Sequence, residues 1–336
     1  MIPYPITVVP GSIPRIILSS TIISYFQVLK TNKNIRVLKF LIKILLFFIV
    51  FWLFFNQIKR ITWDEWNTVR IQHFPLLLLA ISLVFVNWGL EYLKWNLTLK
   101  TAQISSNRTQ KTKAFLAGIL TGLLTPNLLG NFIGRLFYFQ RRDRSAIILL
   151  TLFSNGAQFL ASILFGVIAI GWVGLSEKIG NSLSTPYGYL SIFALIIVLL
   201  TYFFFERLPF IRKRKQFQKL DVLFKNDTLF RFKLLVISSL RHFVFSLQYI
   251  LVLTSVGISV DFTWMGWIWQ VFFWATLIPS LWMGKLFVRE SIALLILAPL
   301  TTNSALVLIS SISLWILNQA IPALVGIPFL GKKKNV

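Results

Sequence analysis

The apolar positions of this chain gather into long blocks separated by short, mostly basic segments. Crossing about 30 Å of hydrocarbon takes ~20 apolar residues. Six blocks meet that length, at about 38–57, 74–98, 145–173, 187–205, 233–256 and 303–328. Two further apolar regions, 113–140 and 263–300, are interrupted near their middles by proline and glycine. Each is predicted to be two short helices that meet at a break, enter the membrane and leave on the same side. Irregular backbone at that depth must be buried in protein or line a wet cavity, because lipid cannot satisfy its N–H and C=O groups. The pattern predicts an all-α polytopic membrane protein of about six transmembrane helices plus two broken, re-entrant pairs.

The two interruptions resemble each other. The first reads Thr125-Pro126-Asn127-Leu128-Leu129-Gly130-Asn131-Phe132-Ile133-Gly134-Arg135, and the second runs from Ile278-Pro279 through Gly284-Lys285 to Arg289-Glu290. In each, a proline is followed four or five residues on by a glycine, and an arginine comes five residues after that. Proline removes a backbone donor and breaks a helix, and glycine permits a tight turn. An arginine at the bilayer centre costs at least ~2.5 kcal/mol. Matched helix breaks in two halves of a membrane protein point to a transport site.

Composition agrees with this pattern: 56% of the 336 residues are hydrophobic and only 13% are charged. The formal net charge of +24 would suggest nucleic acid for a soluble protein. Here the basic residues sit between apolar runs, so the positive-inside rule accounts for most of them and no nucleic-acid partner is expected. One side collects Arg36, Lys100, Arg108, Arg141, Arg142, the Arg212–Lys215 run and the Lys332–Lys334 tail; the other has Lys59, Arg60, Arg70 and Lys178. That bias places both termini in the cytoplasm. The first broken pair would then start and end on the cytoplasmic side and the second on the outer side, an inverted repeat. The domains follow: a tail, 1–36; a transmembrane domain, 37–328, with halves 37–206 and 234–328 joined by a basic loop, 207–233; and a basic tail, 329–336. A cleavable signal peptide is not expected, since Pro3, Pro5, Pro10 and Pro14 interrupt the first segment. That segment reads as a cytoplasmic or interfacial tail, or as sequence upstream of the true start.

The absence of cysteine excludes disulfides, thiolate metal sites and a cysteine nucleophile. No phosphate-binding loop, nucleophile elbow, zinc motif or acidic metal cluster occurs, so neither cofactor nor metal is expected and no residue is assigned a catalytic role. The binding candidates are Arg135, Arg289, Glu290, Arg241 and Asn131, with Pro126, Gly130, Pro279 and Gly284 shaping the breaks. Guanidinium groups offer fixed, bidentate donors to phosphate, and helix N-termini after each break would add partial positive charge. Against this, Arg135 also fits a cytoplasmic flank with Arg141, Arg142 and Arg144, and Arg241 fits snorkelling to the cytoplasmic surface. Glu290 is a proton or counter-ion site, or pairs with Lys285; adjacent helical residues do not face each other, which makes an Arg289–Glu290 pair the weaker reading. Glu91 with Lys94 reads as helix-end charge pairing. Asn131, Asn155, Gln158 and Gln248 read as groups that join helices. Asn318, Gln319 and Pro322 predict a kink in the last span. Most tryptophans, including Trp264, Trp267 and Trp269, read as interfacial anchors.

At Phe115–Gly166, at Ile278-Pro279 to Arg289-Glu290 and at Asn318–Gly326, the chain resembles the flippase-like membrane domain of the lysylphosphatidylglycerol synthase transmembrane-region family, over about 40–328. The resemblance implies re-entrant helices, and in some members transfer of aminoacylated phosphatidylglycerol between leaflets. It implies that Arg135, Arg289 and Glu290 belong to the pathway. The second motif departs from the family's glycine-rich form at Trp282, Met283 and Lys285, and the synthase activity is not carried over. The expected function is transport of a lipid or lipid-linked anionic headgroup between leaflets. The partners would be membrane lipids and a separate lipid-modifying enzyme. The alternatives are a membrane-embedded transferase on a lipid carrier and a non-transporting partner of an envelope-lipid enzyme.

Overall fold

The computed structural model describes residues 33–125, 130–174, 186–204, 228–278, 286–297 and 299–330. Pro126, Asn127, Pro279, Gly284 and Lys285 lie outside the described residues, as do 1–32, the loop 207–227 and the tail 331–336. The regular structure of the described residues is helical: α1 (Lys33–Lys59), α2 (Trp63–Asn67), α3 (Phe74–Thr101), α4 (Arg108–Leu123), α5 (Asn131–Leu136), α6 (Arg144–Val173), α7 (Pro186–Phe204), α8 (Thr228–Ser255), α9 (Trp264–Leu277), α10 (Val288–Leu297), α11 (Ser304–Trp315) and α12 (Ile321–Gly326). Four stretches are long and apolar enough to cross a membrane: Phe74–Thr101, Arg141–Val173, Thr228–Ser255 and Ser304–Phe329. Phe48–Lys59 of α1 and Ile192–Phe204 of α7 are shorter apolar helices. Leu190, Phe193 and Leu200 on α7 and Phe85 on α3 are exposed, as side chains that face lipid should be.

Helices α3 and α8 form the central pair, with α6 against α8 and α9 against α6. Helix α9 is apolar all round and is enclosed by α6, α8 and α10. Trp264, Trp267 and Trp269 are therefore core side chains, which corrects the interfacial reading for these three. Arg231 donates to the carbonyls of Tyr202 and Phe203, satisfying the end of α7, where carbonyls lack helical partners.

Both predicted breaks are present. Helix α5 folds back antiparallel along α4, and small residues set how closely. The backbone at Gly134 lies so near Ala117 that a Cβ would overlap the Ala117 carbonyl, and a Cβ at Gly118 would stand 2.7 Å from the Asn131 carbonyl oxygen. Gly130 has an ordinary φ of −76°, so its role is space rather than turn conformation: Thr121 and Thr125 fill the room a Cβ would need. Gly134→Ala is expected to destabilise the protein by about 1–3 kcal/mol through overpacking, read as a lower unfolding midpoint in detergent; an unchanged midpoint would mean that the hairpin is not packed this tightly.

The first pair opens and closes at one end of the bundle. Gln110 near its start donates to the Tyr138 carbonyl near its finish, and the Tyr138 hydroxyl donates to the Phe329 carbonyl at 2.6 Å. This end carries Lys100, Arg108, Arg141 and Arg142. The second pair opens and closes at the other end, where the Gln72 N–H donates to the Ser255 carbonyl, Trp172 meets Phe262, and Asn303 donates to Thr68. Proline explains the irregularity in the last span. Pro322 has no N–H for the Asn318 carbonyl four residues back, and a π-helical turn, Ile316–Ala320, replaces the regular ladder.

Candidate functional site

Helix α3 is mostly apolar and carries one buried polar stripe. Asn87, Glu91, Lys94 and Thr98 recur at steps of three and four, so they share one face of a 3.6-residue helix. That face meets α8, α6 and α5 rather than lipid, and it gathers charge from each.

Glu91 is the centre. Its Oε2 lies 3.2 Å from Lys94 Nζ and 3.2 Å from Arg241 Nη1, and its Oε1 lies 3.6 Å from Arg135 Nη2. Arg135 is 2% exposed and Lys94 1%, whereas Arg241 and Glu91 retain 29% and 15%. Arg135 stacks its guanidinium over the Trp95 ring at 4.5 Å and reaches Thr151 at 3.4 Å, while its Nε has no partner among the described residues. Arg241 Nε donates to Asn87 Oδ1 at 2.7 Å, and Arg241 and Lys94 both donate to Gln158 Oε1. Three cations thus surround one carboxylate, and the cluster holds two positive charges in excess.

Several expectations change here. Arg135 is not a cytoplasmic flank residue. Arg241 does not snorkel: it sits midway along α8, with about 20 Å of helix on either side at ~1.5 Å per residue. Glu91 and Lys94 do pair, but inside the bundle rather than as an isolated helix-end couple. At the N-terminus of α5 the Gly130 N–H donates to Thr125 Oγ1 and the Gly134 N–H to Thr121 Oγ1. Asn131 exchanges two hydrogen bonds with Asn155, joining α5 to α6.

A second polar group lies where α10 meets α11. Arg289 Nη2 stands 2.6 Å from Glu290 Oε1 and also donates to the Ser311 carbonyl at 2.6 Å. Ser311 Oγ lies 3.3 Å from the same carboxylate oxygen. The pair disfavoured by sequence is formed, because both side chains turn toward Ser311. Arg289 is 6% exposed and Glu290 fully buried. Arg289 Nε, Glu290 Oε2, Ser291 Oγ and Ser310 Oγ have no hydrogen-bond partner among the described residues. Unlike the Glu91 cluster, this pair is neutral.

Polar side chains extend from the Glu91 cluster to the last span and α8. Asn87 donates to Asn318 Oδ1, Asn318 donates to Gln248 Oε1, and Gln248 donates to the Ala80 carbonyl, each at 2.8 Å. Tyr249, next to Gln248 in sequence, is fully buried, and its hydroxyl has no hydrogen-bond partner among the described residues. A polar seam therefore runs through the apolar bundle, with the π-helical turn of the last span as one of its links. His242 stands apart, stacked on Phe165 at 4.7 Å with Nδ1 3.4 Å from Ser162 Oγ.

The model of the family described as lysylphosphatidylglycerol synthase TM region matches residues 40–326. No curated protein and no solved structure matches the chain.

Proposed function

The chain belongs to the lysylphosphatidylglycerol synthase TM region family, and from that premise we propose that it is a flippase-like transporter moving a lipid or lipid-linked anionic headgroup between leaflets of a bacterial inner membrane. The observation that carries this reading is the charge excess around Glu91: Lys94, Arg135 and Arg241 share one carboxylate within a membrane bundle. Intramembrane ionisable groups are costly and mark substrate pathways. The placement of the broken pairs, one at each end of the bundle, supports an inverted repeat and alternating access. The basic end faces the cytoplasm in this reading, with both termini beside it. No residue of the seam is assigned a catalytic role, and any chemical change to the lipid falls to a separate enzyme.

Leaflet transfer of fluorescent anionic, zwitterionic and cationic lipids by protein in proteoliposomes tests the proposal. The wild type is expected to move an anionic lipid, and Arg135→Ala to slow it by about 100-fold, as expected when a desolvated charged contact of ~3 kcal/mol is lost. Folded wild-type protein that moves no lipid would sink the transport reading and favour the transferase or partner alternatives.

A further inference from the structure

The count of charges and donors at the Glu91 cluster goes further, and it rests on the transport reading above. Arg135 and Arg241 each carry five N–H donors and Lys94 three. Among the described residues their side-chain acceptors are Glu91, Gln158, Asn87 and Thr151, and the buried Nε of Arg135 is left unmatched. The charged groups facing this point are Glu91 and Lys94 from α3, Arg135 from α5 and Arg241 from α8, while α6 contributes only neutral Gln158 and Thr151. His242 faces Phe165 and Ser162 instead.

We infer that this cluster is built for a doubly charged phosphoryl headgroup, a phosphomonoester or diphosphate lipid, rather than for a singly charged phosphodiester or an aminoacylated, cationic one. A dianion cancels the two excess charges. A phosphodiester such as phosphatidylglycerol leaves one cation uncompensated in a desolvated place, and an aminoacylated headgroup brings a further cation to a site already rich in them. Partly exposed Arg241 and Glu91 form the open side of the cluster, and buried Arg135 and Lys94 lie behind them. Arg241, on the open side, offers the phosphoryl oxygens the donors that Glu91, Asn87 and Gln158 leave unused.

The test is binding to the full chain in neutral detergent, measured by native mass spectrometry with phosphatidate, phosphatidylglycerol, lysylphosphatidylglycerol and inorganic phosphate. At pH 7.5 phosphatidate is expected to bind at least about tenfold more tightly than phosphatidylglycerol, since one added charge ~4 Å from a cation in a partly buried site is worth more than that factor. The second ionisation of a phosphomonoester lies near pH ~6, so the preference should shrink to about parity at pH 5. Arg135→Gln should reduce it at pH 7.5. Phosphatidylglycerol or lysylphosphatidylglycerol binding as tightly as phosphatidate at pH 7.5 would overturn the charge rule. Inorganic phosphate binding as tightly as phosphatidate would overturn the lipid as the source of the phosphoryl group. Selective binding without leaflet transfer would leave the charge rule standing and remove the transport reading; transfer without selectivity would do the reverse.

Discussion

Glu91→Gln is expected to destabilise the folded protein by about 3–5 kcal/mol, the range for removing one partner of a buried ion pair. The substitution is nearly isosteric, so packing does not enter. What changes is that Lys94, Arg135 and Arg241 lose the one carboxylate they share, and the excess rises from two positive charges to three. Arg135→Gln acts in the opposite sense. It loses a 3.6 Å ion pair and the stacking on Trp95, but it lowers the excess to one charge and leaves Glu91 with two cations. Its stability should fall by no more than about 1 kcal/mol, because sites built for a ligand often relax when their strain is removed. Unfolding in detergent, followed for both variants beside wild type, reads the difference. If Glu91→Gln were as stable as wild type, Glu91 would not be the counter-ion of the cluster and the charge count would be wrong.

The helices were legible because hydropathy and proline act along the chain. Blocks at about 74–98 and 145–173 became α3 and α6 with ends shifted by only a few residues. Helix α4 ends at Leu123 and α5 starts at Asn131, and α9 ends at Leu277 and α10 starts at Val288, so each broken region contains two helices; Pro126 and Pro279 lie outside the described residues. A small error in a boundary had a large consequence for one residue. Starting the fifth span at 233 put Arg241 near an end, within snorkelling reach; α8 starts at Thr228, and Arg241 lies at its middle.

The charge cluster was harder to read because its members are far apart in sequence: Arg241 and Asn87 are separated by 154 positions. No local pattern brings α3, α5, α6 and α8 to one point; packing does. One signal was nonetheless available. Four polar residues at helical spacing, Asn87 to Thr98, on a mostly apolar span predict a face turned away from lipid. Taken as a stripe, Glu91 and Lys94 become a buried site rather than a helix-end pair. The buried tryptophans of α9 were missed for a related reason: a helix apolar on every side gives no periodicity that separates core from interface.

Removing Arg289 alone should be among the most damaging single changes, again by about 3–5 kcal/mol, because Glu290 would remain fully buried without its cation. The double variant Arg289→Met/Glu290→Gln is expected to return close to wild-type stability. It removes both charges at similar volume, and neutral replacement of a buried pair is often without penalty. The resulting cycle isolates the coupling between the two residues. Leaflet transfer then separates framework from pathway. Four polar atoms here, Arg289 Nε, Glu290 Oε2, Ser291 Oγ and Ser310 Oγ, are buried without partners among the described residues, a state that a purely structural pair has no reason to keep. The stable double variant should therefore remain unable to move lipid. Stability and transfer restored together would make Arg289 and Glu290 part of the framework and confine the pathway to the cluster around Glu91.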